Sequence, residues 1–344
     1  MTAQQRSAER PLISIVLAVG MVERFLPSCL DSILGQPDPP GGVEVIAVDD
    51  ASPDGCGQIL DGRAADDPRL RVIHLARSGG PGPARMRGLA AATGAYVWFA
   101  DPDDLLTGGS LAALAGRLEQ DKPDVLLLDY RTLLPSGRTG PSPGAGLLAG
   151  PECVVTLADR PELINRTMTL WSKVFHRPFL AGLGVSLPPG IHEDVPMSAC
   201  ALLAAERIAL LNRACYLYRR RAGSFLATAS MDHFSIFASY AQVFGLLASE
   251  EATAAVRAAV FGRAIEHYSS ILASGLVPRR ARKEFFGRMA ADFKHYRPPG
   301  YQNPAGMRGL KEALISRGAY RAYAVLAPLN NARVAARRVL ARSA

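Results

Sequence analysis

Five short apolar runs rich in β-branched residues, at 12–19, 43–48, 70–75, 95–100 and 125–129, alternate with stretches of helical spacing such as 23–34 and 83–92. Continuous apolar runs of this length suit strands buried on both faces. The intervening stretches are long enough to cross over and bring each next strand in parallel. The pattern predicts a doubly wound, Rossmann-like α/β domain, with a mostly parallel sheet flanked by helices. Ligands of such sheets sit outside the carboxyl ends of the strands, which directs attention to residues 18–23, 49–54, 77–87 and 101–104.

At 344 residues, 49% hydrophobic and 20% charged, the chain is no disordered or coiled-coil protein, and it can bury a large core. Its charge is uneven. Residues 1–250 hold 22 Lys/Arg against 26 Asp/Glu, whereas 251–344 hold 17 against 5. A basic tail on a mildly acidic body suggests an anionic partner. The expected division is a disordered N-terminus at 1–10, an α/β domain at 11–225 and a basic helical C-terminal region at 226–344. Helical patterning dominates from Met231, and short basic amphipathic stretches at 308–342 read first as solvated helix faces and second as a membrane contact. Residues 135–151, rich in Gly, Pro and Ser, read as a mobile loop.

Five cysteines without a CxxC pair indicate neither a disulfide framework nor a zinc ribbon. Residues 1–11 lack the apolar core of a signal peptide, and the apolar stretch 195–211 is broken by Glu206 and Arg207, so it is too short for a membrane span. The expected location is cytoplasmic, with peripheral contact at the inner face of the plasma membrane left open.

The strongest chemical signal is Asp101-Pro102-Asp103-Asp104, directly after a candidate strand. Carboxylates crowded at a strand end repel one another unless a cation or hydrogen bonds offset the charge, and Mg²⁺ or Mn²⁺ suits such oxygen ligands. An Asp-rich turn capping a helix near Gly108 is the plainer alternative. Asp49 and Asp50 follow the second run, where acids can hydrogen-bond a base or ribose, or simply shape a turn. Ser78-Gly79-Gly80-Pro81-Gly82-Pro83 leads into a helix carrying Arg85 and Arg87, a combination that favours anionic phosphate. Glu193 and Asp194 open an apolar helix, where an acid is either a cap or a general base. Tyr216-Leu217-Tyr218-Arg219-Arg220-Arg221 offers cations, or an edge strand.

In order and spacing, residues 12–36, 43–54, 83–88, 96–106, 171–173 and 193–194 resemble the family 2 glycosyltransferases, which have the GT-A fold. More narrowly, 96–99, 192–196, 204–209 and 297–301 look like the glycosyltransferase half of actinobacterial bifunctional proteins, in which a CDP-glycerol glycerophosphotransferase domain follows. The resemblance implies an inverting, metal-dependent transfer of a sugar from a nucleotide-diphosphate donor to a hydroxyl of a teichoic-acid-like wall polymer or its lipid-linked precursor. It further implies that Asp49 and Asp50 contact the base or ribose and that Arg85 faces the diphosphate. Asp103 would be the first metal ligand, with Asp101 shared between metal and ribose. Asp194, paired with Glu193, would be the base.

Where the family usually shows Pro-Val-Tyr-Asn, Asn-x-Gly and Ala-Arg-Asn, this chain has Gly20, Ser78 and Met86. The second reading drawn from these changes is a catalytically weakened GT-A module that binds anionic wall polymer or a partner enzyme. A nucleic-acid partner has no motif to support it. A dinucleotide fingerprint and a G-x-S-x-G elbow are both missing, which excludes the Rossmann dehydrogenases and the serine hydrolases.

Overall fold

The structure is a computed structural model that describes residues 10–142, 145–150, 153–166, 168–188, 190–221, 228–249 and 251–326. The chain divides into two compact units, Met1–Ala222 and Gly223–Ala344.

The first unit opens with β1 (Ile13–Val19), α1 (Leu26–Leu34), β2 (Val43–Asp49), α2 (Cys56–Asp66), β3 (Leu70–His74), α3 (Pro81–Ala91) and β4 (Tyr96–Ala100). A two-residue strand, β5 (Leu105–Leu106), then precedes α4 (Ser110–Asp121) and β6 (Val125–Leu133). Next come β7 (Thr139–Pro141), β8 (Val154–Val155), β9 (Lys173–His176), α5 (Arg177–Gly182), α6 (Asp194–Ala204) and β10 (Ile208–Arg219). The sheet order is β3-β2-β1-β4-β9-β6-β10-β5, with β7 on β6 and β8 on β10.

All five expected strands form, as β1, β2, β3, β4 and β6. Burial explains why their apolar runs are unbroken: every residue of β4 is buried, as are Ile13, Ile15, Val16, Leu17 and Val19 of β1. Helix α3 lies close on β1. A β-carbon placed on Gly88 would stand 2.3 Å from Val16 Cγ1, so only glycine permits this approach.

Parallel pairing holds for β3-β2-β1-β4 and again for β6-β10. The sheet is mixed rather than uniformly parallel, because β9 inserts antiparallel between β4 and β6. Two expectations are corrected. Residues 135–151 contain β7 and a 3-10 turn at Ala145–Leu148 in addition to loop. The Tyr216–Tyr218 segment is no edge strand, since β10 runs between β6 and β5.

The second unit contains α7 (Ser235–Ser249), α8 (Ala254–Ala273), α9 (Arg282–Tyr296) and α10 (Gly306–Ser316). Its core is aromatic: Phe237 meets Tyr268 and Phe285 with ring centroids 4.7 Å away in each case. Arg308, Arg317 and Arg321 are exposed, while the rest of the basic tail, 327–344, and residues 1–9 of the expected disordered N-terminus lie outside the described residues.

Candidate active site

The carboxyl ends of β1, β2 and β4 bring together the segments that carry the acidic residues. At the end of β2, Asp49 is buried, and its carboxylate accepts from the Ser52 amide at 3.0 Å and pairs with His74 Nδ1 at 2.9 Å. Burial pushes this carboxyl upward, but the His74 and Ser52 hydrogen bonds outweigh it and leave its pKa lowered. His74 is raised in turn by its bonds to Asp49 and Asp61. Asp50 works on the glycine loop: its two oxygens accept from Ser78 Oγ at 2.7 Å and from the Gly79 and Gly80 amides at 2.8 Å each. The loop's glycines therefore serve the protein first. A β-carbon on Gly82 would meet the Pro188 carbonyl oxygen at 2.4 Å, so the start of α3 is pressed against the segment that leads to Glu193.

Beside these ends an open cavity of about 550 Å³ is lined by Met21, Phe25, Asp54 and Ile59 among others. Met21 is 67% exposed and has a left-handed backbone, φ 52°. It stands near Gly20, where the family's usual tyrosine is missing.

The acidic turn after β4 is held by β10. The Asp101 amide donates to Tyr216 Oη at 2.9 Å, and the Arg219 amide donates to Asp104 Oδ1 at 2.6 Å. Arg219 Nε donates to the Asp103 carbonyl at 2.8 Å, and Arg221 Nε pairs with Asp103 Oδ2 at 2.6 Å. Asp101, Asp103 and Asp104 each offer an oxygen, all within 4.8 Å of one another. Burial raises the Asp104 carboxyl well above the usual range, and the charges of Asp101 and Asp103 add to the effect. Its Oδ2 is buried without a hydrogen-bond partner.

Arg85, on α3, joins this turn to the second acidic pair. Its guanidinium donates to Asp101 Oδ1 at 2.7 Å and to Glu193 Oε1. Burial opposes its charge, but Asp101 and Glu193 outweigh that cost and raise its pKa. Glu193 precedes the first residue of α6, Asp194, and follows His192, whose backbone is left-handed at φ 62°. Burial pushes the Asp194 carboxyl up to about 8, helped by the Glu193 charge and opposed by Arg85. Glu193 is also raised by burial, against Arg85.

The structure thus brings Arg85, Asp101, Asp103, Glu193 and Asp194 into one electrostatic network and adds Asp104, whereas the carboxylates of Asp49 and Asp50 are engaged with His74, Ser52 and the glycine loop. Sequence reasoning placed Asp104 in the acidic cluster without naming it a ligand, assigned Tyr216 no part in holding the turn, and gave Arg219 and Arg221 only a general cationic role. Two tyrosines at 216 and 218 followed by three arginines at 219–221 were the available signal. Trp171 stacks between Tyr216, at 4.7 Å, and Tyr218, at 5.5 Å, behind the turn.

Comparison with known proteins accords with this arrangement. The sequence profile described as Glycosyl transferase family 2 matches residues 14–136. The uncharacterized glycosyltransferase EpsJ of Bacillus subtilis is 31% identical over 219 residues, covering 62% of this chain and 62% of EpsJ. The chain therefore spans about three fifths of that relative's length. Glycosyltransferase GlyG of Streptococcus pneumoniae is 30% identical over 229 residues, covering 63% of this chain and 73% of GlyG. Poly(ribitol-phosphate) beta-N-acetylglucosaminyltransferase TarS of Staphylococcus aureus is 29% identical over 63% of this chain and 37% of its own length. The crystal structure of TarS 1–349 in complex with UDP-GlcNAc superposes with a TM-score of 0.77 over 92% of this chain and 90% of that one, at 20% identity, which is a likeness of fold. With a profile match over the strands that end in the acidic segments, and a relative covered over nearly three quarters of its length, the chain belongs to glycosyltransferase family 2.

Proposed function

We propose that the chain is an inverting, metal-dependent glycosyltransferase that moves a sugar from a nucleotide-diphosphate donor to a hydroxyl of a teichoic-acid-like wall polymer or its lipid-linked precursor. The observation that carries the reading is Arg85, whose one guanidinium ties Asp101 of the acidic turn to Glu193, the neighbour of Asp194. A metal-binding candidate and a base candidate are thereby fixed relative to each other before any substrate arrives.

The acidic turn fits a divalent cation: three carboxylate oxygens converge, and one buried oxygen of Asp104 has no hydrogen-bond partner. Asp103 and Asp101, with Asp104 beside them, would hold Mg²⁺ or Mn²⁺. The chemistry supplied by such an ion is neutralisation of the departing diphosphate. Asp194 accepts the proton of the acceptor hydroxyl as its oxygen bonds to the anomeric carbon and the bond to the diphosphate breaks on the opposite face, which inverts the centre. A carboxyl titrating near 8 is matched to that task, because a base is most effective when its pKa lies near the working pH. Glu193 and Arg85 hold this geometry, and Asp50 fixes the glycine loop at the donor rim.

The anionic-polymer acceptor draws on the activity for which TarS is named and on the resemblance to bifunctional wall-polymer proteins read from the sequence. The basic C-terminal unit would contact that polymer or the inner face of the membrane from the cytoplasm. Among the described residues no helix is long and apolar enough to cross a membrane.

Purified protein is assayed with UDP-GlcNAc and other nucleotide sugars, with Mn²⁺, against a polyol-phosphate acceptor. Asp103→Ala and Asp194→Asn are each expected to lower turnover by about 10²–10⁴-fold, the range of a lost acid-base or electrostatic contribution. Equal turnover in wild type and both variants would remove the proposed roles. Nucleotide binding without turnover in any of them would favour the weakened-module reading.

A further inference from the structure

Asp103 serves two masters in this structure: its backbone and side chain are both held by arginines of one segment, and it is also the central acid of the converging trio. Arg221 Nε binds its Oδ2 at 2.6 Å, while Arg219 Nε binds its carbonyl oxygen. Both guanidiniums lie over the ring of Phe25, at 5.2 and 5.4 Å, so they are held against an aromatic surface on α1's N-terminal side, as is Arg24 at 5.7 Å. Asp101 is already paired with Arg85, which it shares with Glu193. Asp104 gives Oδ1 to the Arg219 amide and keeps Oδ2 free of partners. Among the described residues, the positive charge seated on a side-chain oxygen of Asp103 is therefore that of Arg221.

We propose that Arg221 competes with the divalent cation for Asp103 and makes metal binding depend on an accompanying diphosphate. A doubly charged ion entering the trio meets a guanidinium at hydrogen-bond distance from one of its ligands. It must displace that group or bear its repulsion. An anionic diphosphate arriving with the ion gives Arg221 a new acceptor and relieves the repulsion, so each ligand strengthens the other. Arg221 is thus a positioning residue that couples the binding of the two ligands. The metal half of the inference needs only the acidic trio; the diphosphate half rests on the glycosyl-transfer reading.

The test is direct titration of Mn²⁺, followed by the electron paramagnetic resonance signal of the free ion, on the full chain with and without UDP. Wild type, Arg221→Gln, Arg221→Lys and Asp103→Asn are compared, and no turnover is needed. Arg221→Gln is expected to bind Mn²⁺ alone on the order of tenfold more tightly than wild type, within the usual range of coupling between sites. It should also lose most of the tightening that UDP gives wild type, and Arg221→Lys, which keeps the charge, should stay near wild type. Equal or weaker Mn²⁺ binding by Arg221→Gln overturns the proposal and makes the arginine a simple brace for Asp103. Asp103→Asn should weaken Mn²⁺ binding in every setting. If it does not, or if no protein binds the ion at millimolar concentration, the metal site fails and the competition fails with it. Mn²⁺ binding that Asp103→Asn weakens and Arg221→Gln leaves unchanged sinks the competition alone.

Discussion

Asp194 shows how a single carboxyl records its surroundings. Burial and the neighbouring Glu193 raise it to about 8, whereas in the unfolded chain it titrates near the ordinary value of 3.8. Between those two pKa values the folded state binds a proton that the unfolded state has released, so this group's contribution to stability is full below about 4 and is lost as pH rises through about 8. Asp194→Asn copies the protonated form. The variant should melt several degrees above wild type at pH 8.5 and close to wild type at pH 4.5, by differential scanning fluorimetry, while losing turnover at both. A melting difference that is the same at the two pH values would show that the carboxyl is not shifted in the folded protein. The sequence named this residue and its partner Glu193 by their place at a helix start. It could not show the shift, because burial, its main cause, is a property of the packed chain, and the charges that add to it at Asp101 and oppose it at Arg85 are distant in sequence.

Elements were legible where one physical rule decided them. β1, β2 and β4 are buried on both faces and read as plain apolar runs. β10 was obscured because Asn212 and Arg213 are exposed in its middle, where the ladder to β6 shifts register between Leu211 and Tyr216, so no period of two survives. β9 is only four residues long, and Lys173 within it is fully buried, a pattern that composition argues against. The same helix that supplies Arg85 depends on a glycine, since Gly88 lets α3 settle on Val16 and Val48. Gly88→Ala should cost about 1–3 kcal/mol through overpacking, measured by urea denaturation. The lifted helix should also weaken the Arg85 bridge and lower turnover. A variant as stable as wild type would mean that the β1–α3 spacing is looser than described.

At the scale of the molecule, charge is segregated: 17 Lys/Arg against 5 Asp/Glu after residue 250, opposite a slightly acidic remainder. On α9 the side chains of Lys283, Arg288 and Lys294 are exposed. Binding to an anionic surface through such cations is screened by salt, with a Debye length of about 10 Å at 0.1 M. Co-sedimentation with phosphatidylglycerol vesicles, or with a polyol-phosphate polymer, should be strong at low salt and largely lost at 300 mM NaCl (about a 6 Å screening length). Neutral vesicles should bind nothing, and salt-insensitive binding would point to an apolar contact instead. The sequence made this imbalance plain, because charge is additive along a chain. Which cations face outward was not readable without the helices.

One guanidinium spanning two acids has a further implication for how this fold can vary. Arginine carries several donors in a rigid plane, so it can grip Asp101 and Glu193 together, and a lysine's lone ammonium lacks that planar fork. Any drift at position 85 toward another base would keep the formal charge yet unstitch two distant parts of the chain, so identity there is a matter of shape and not of sign.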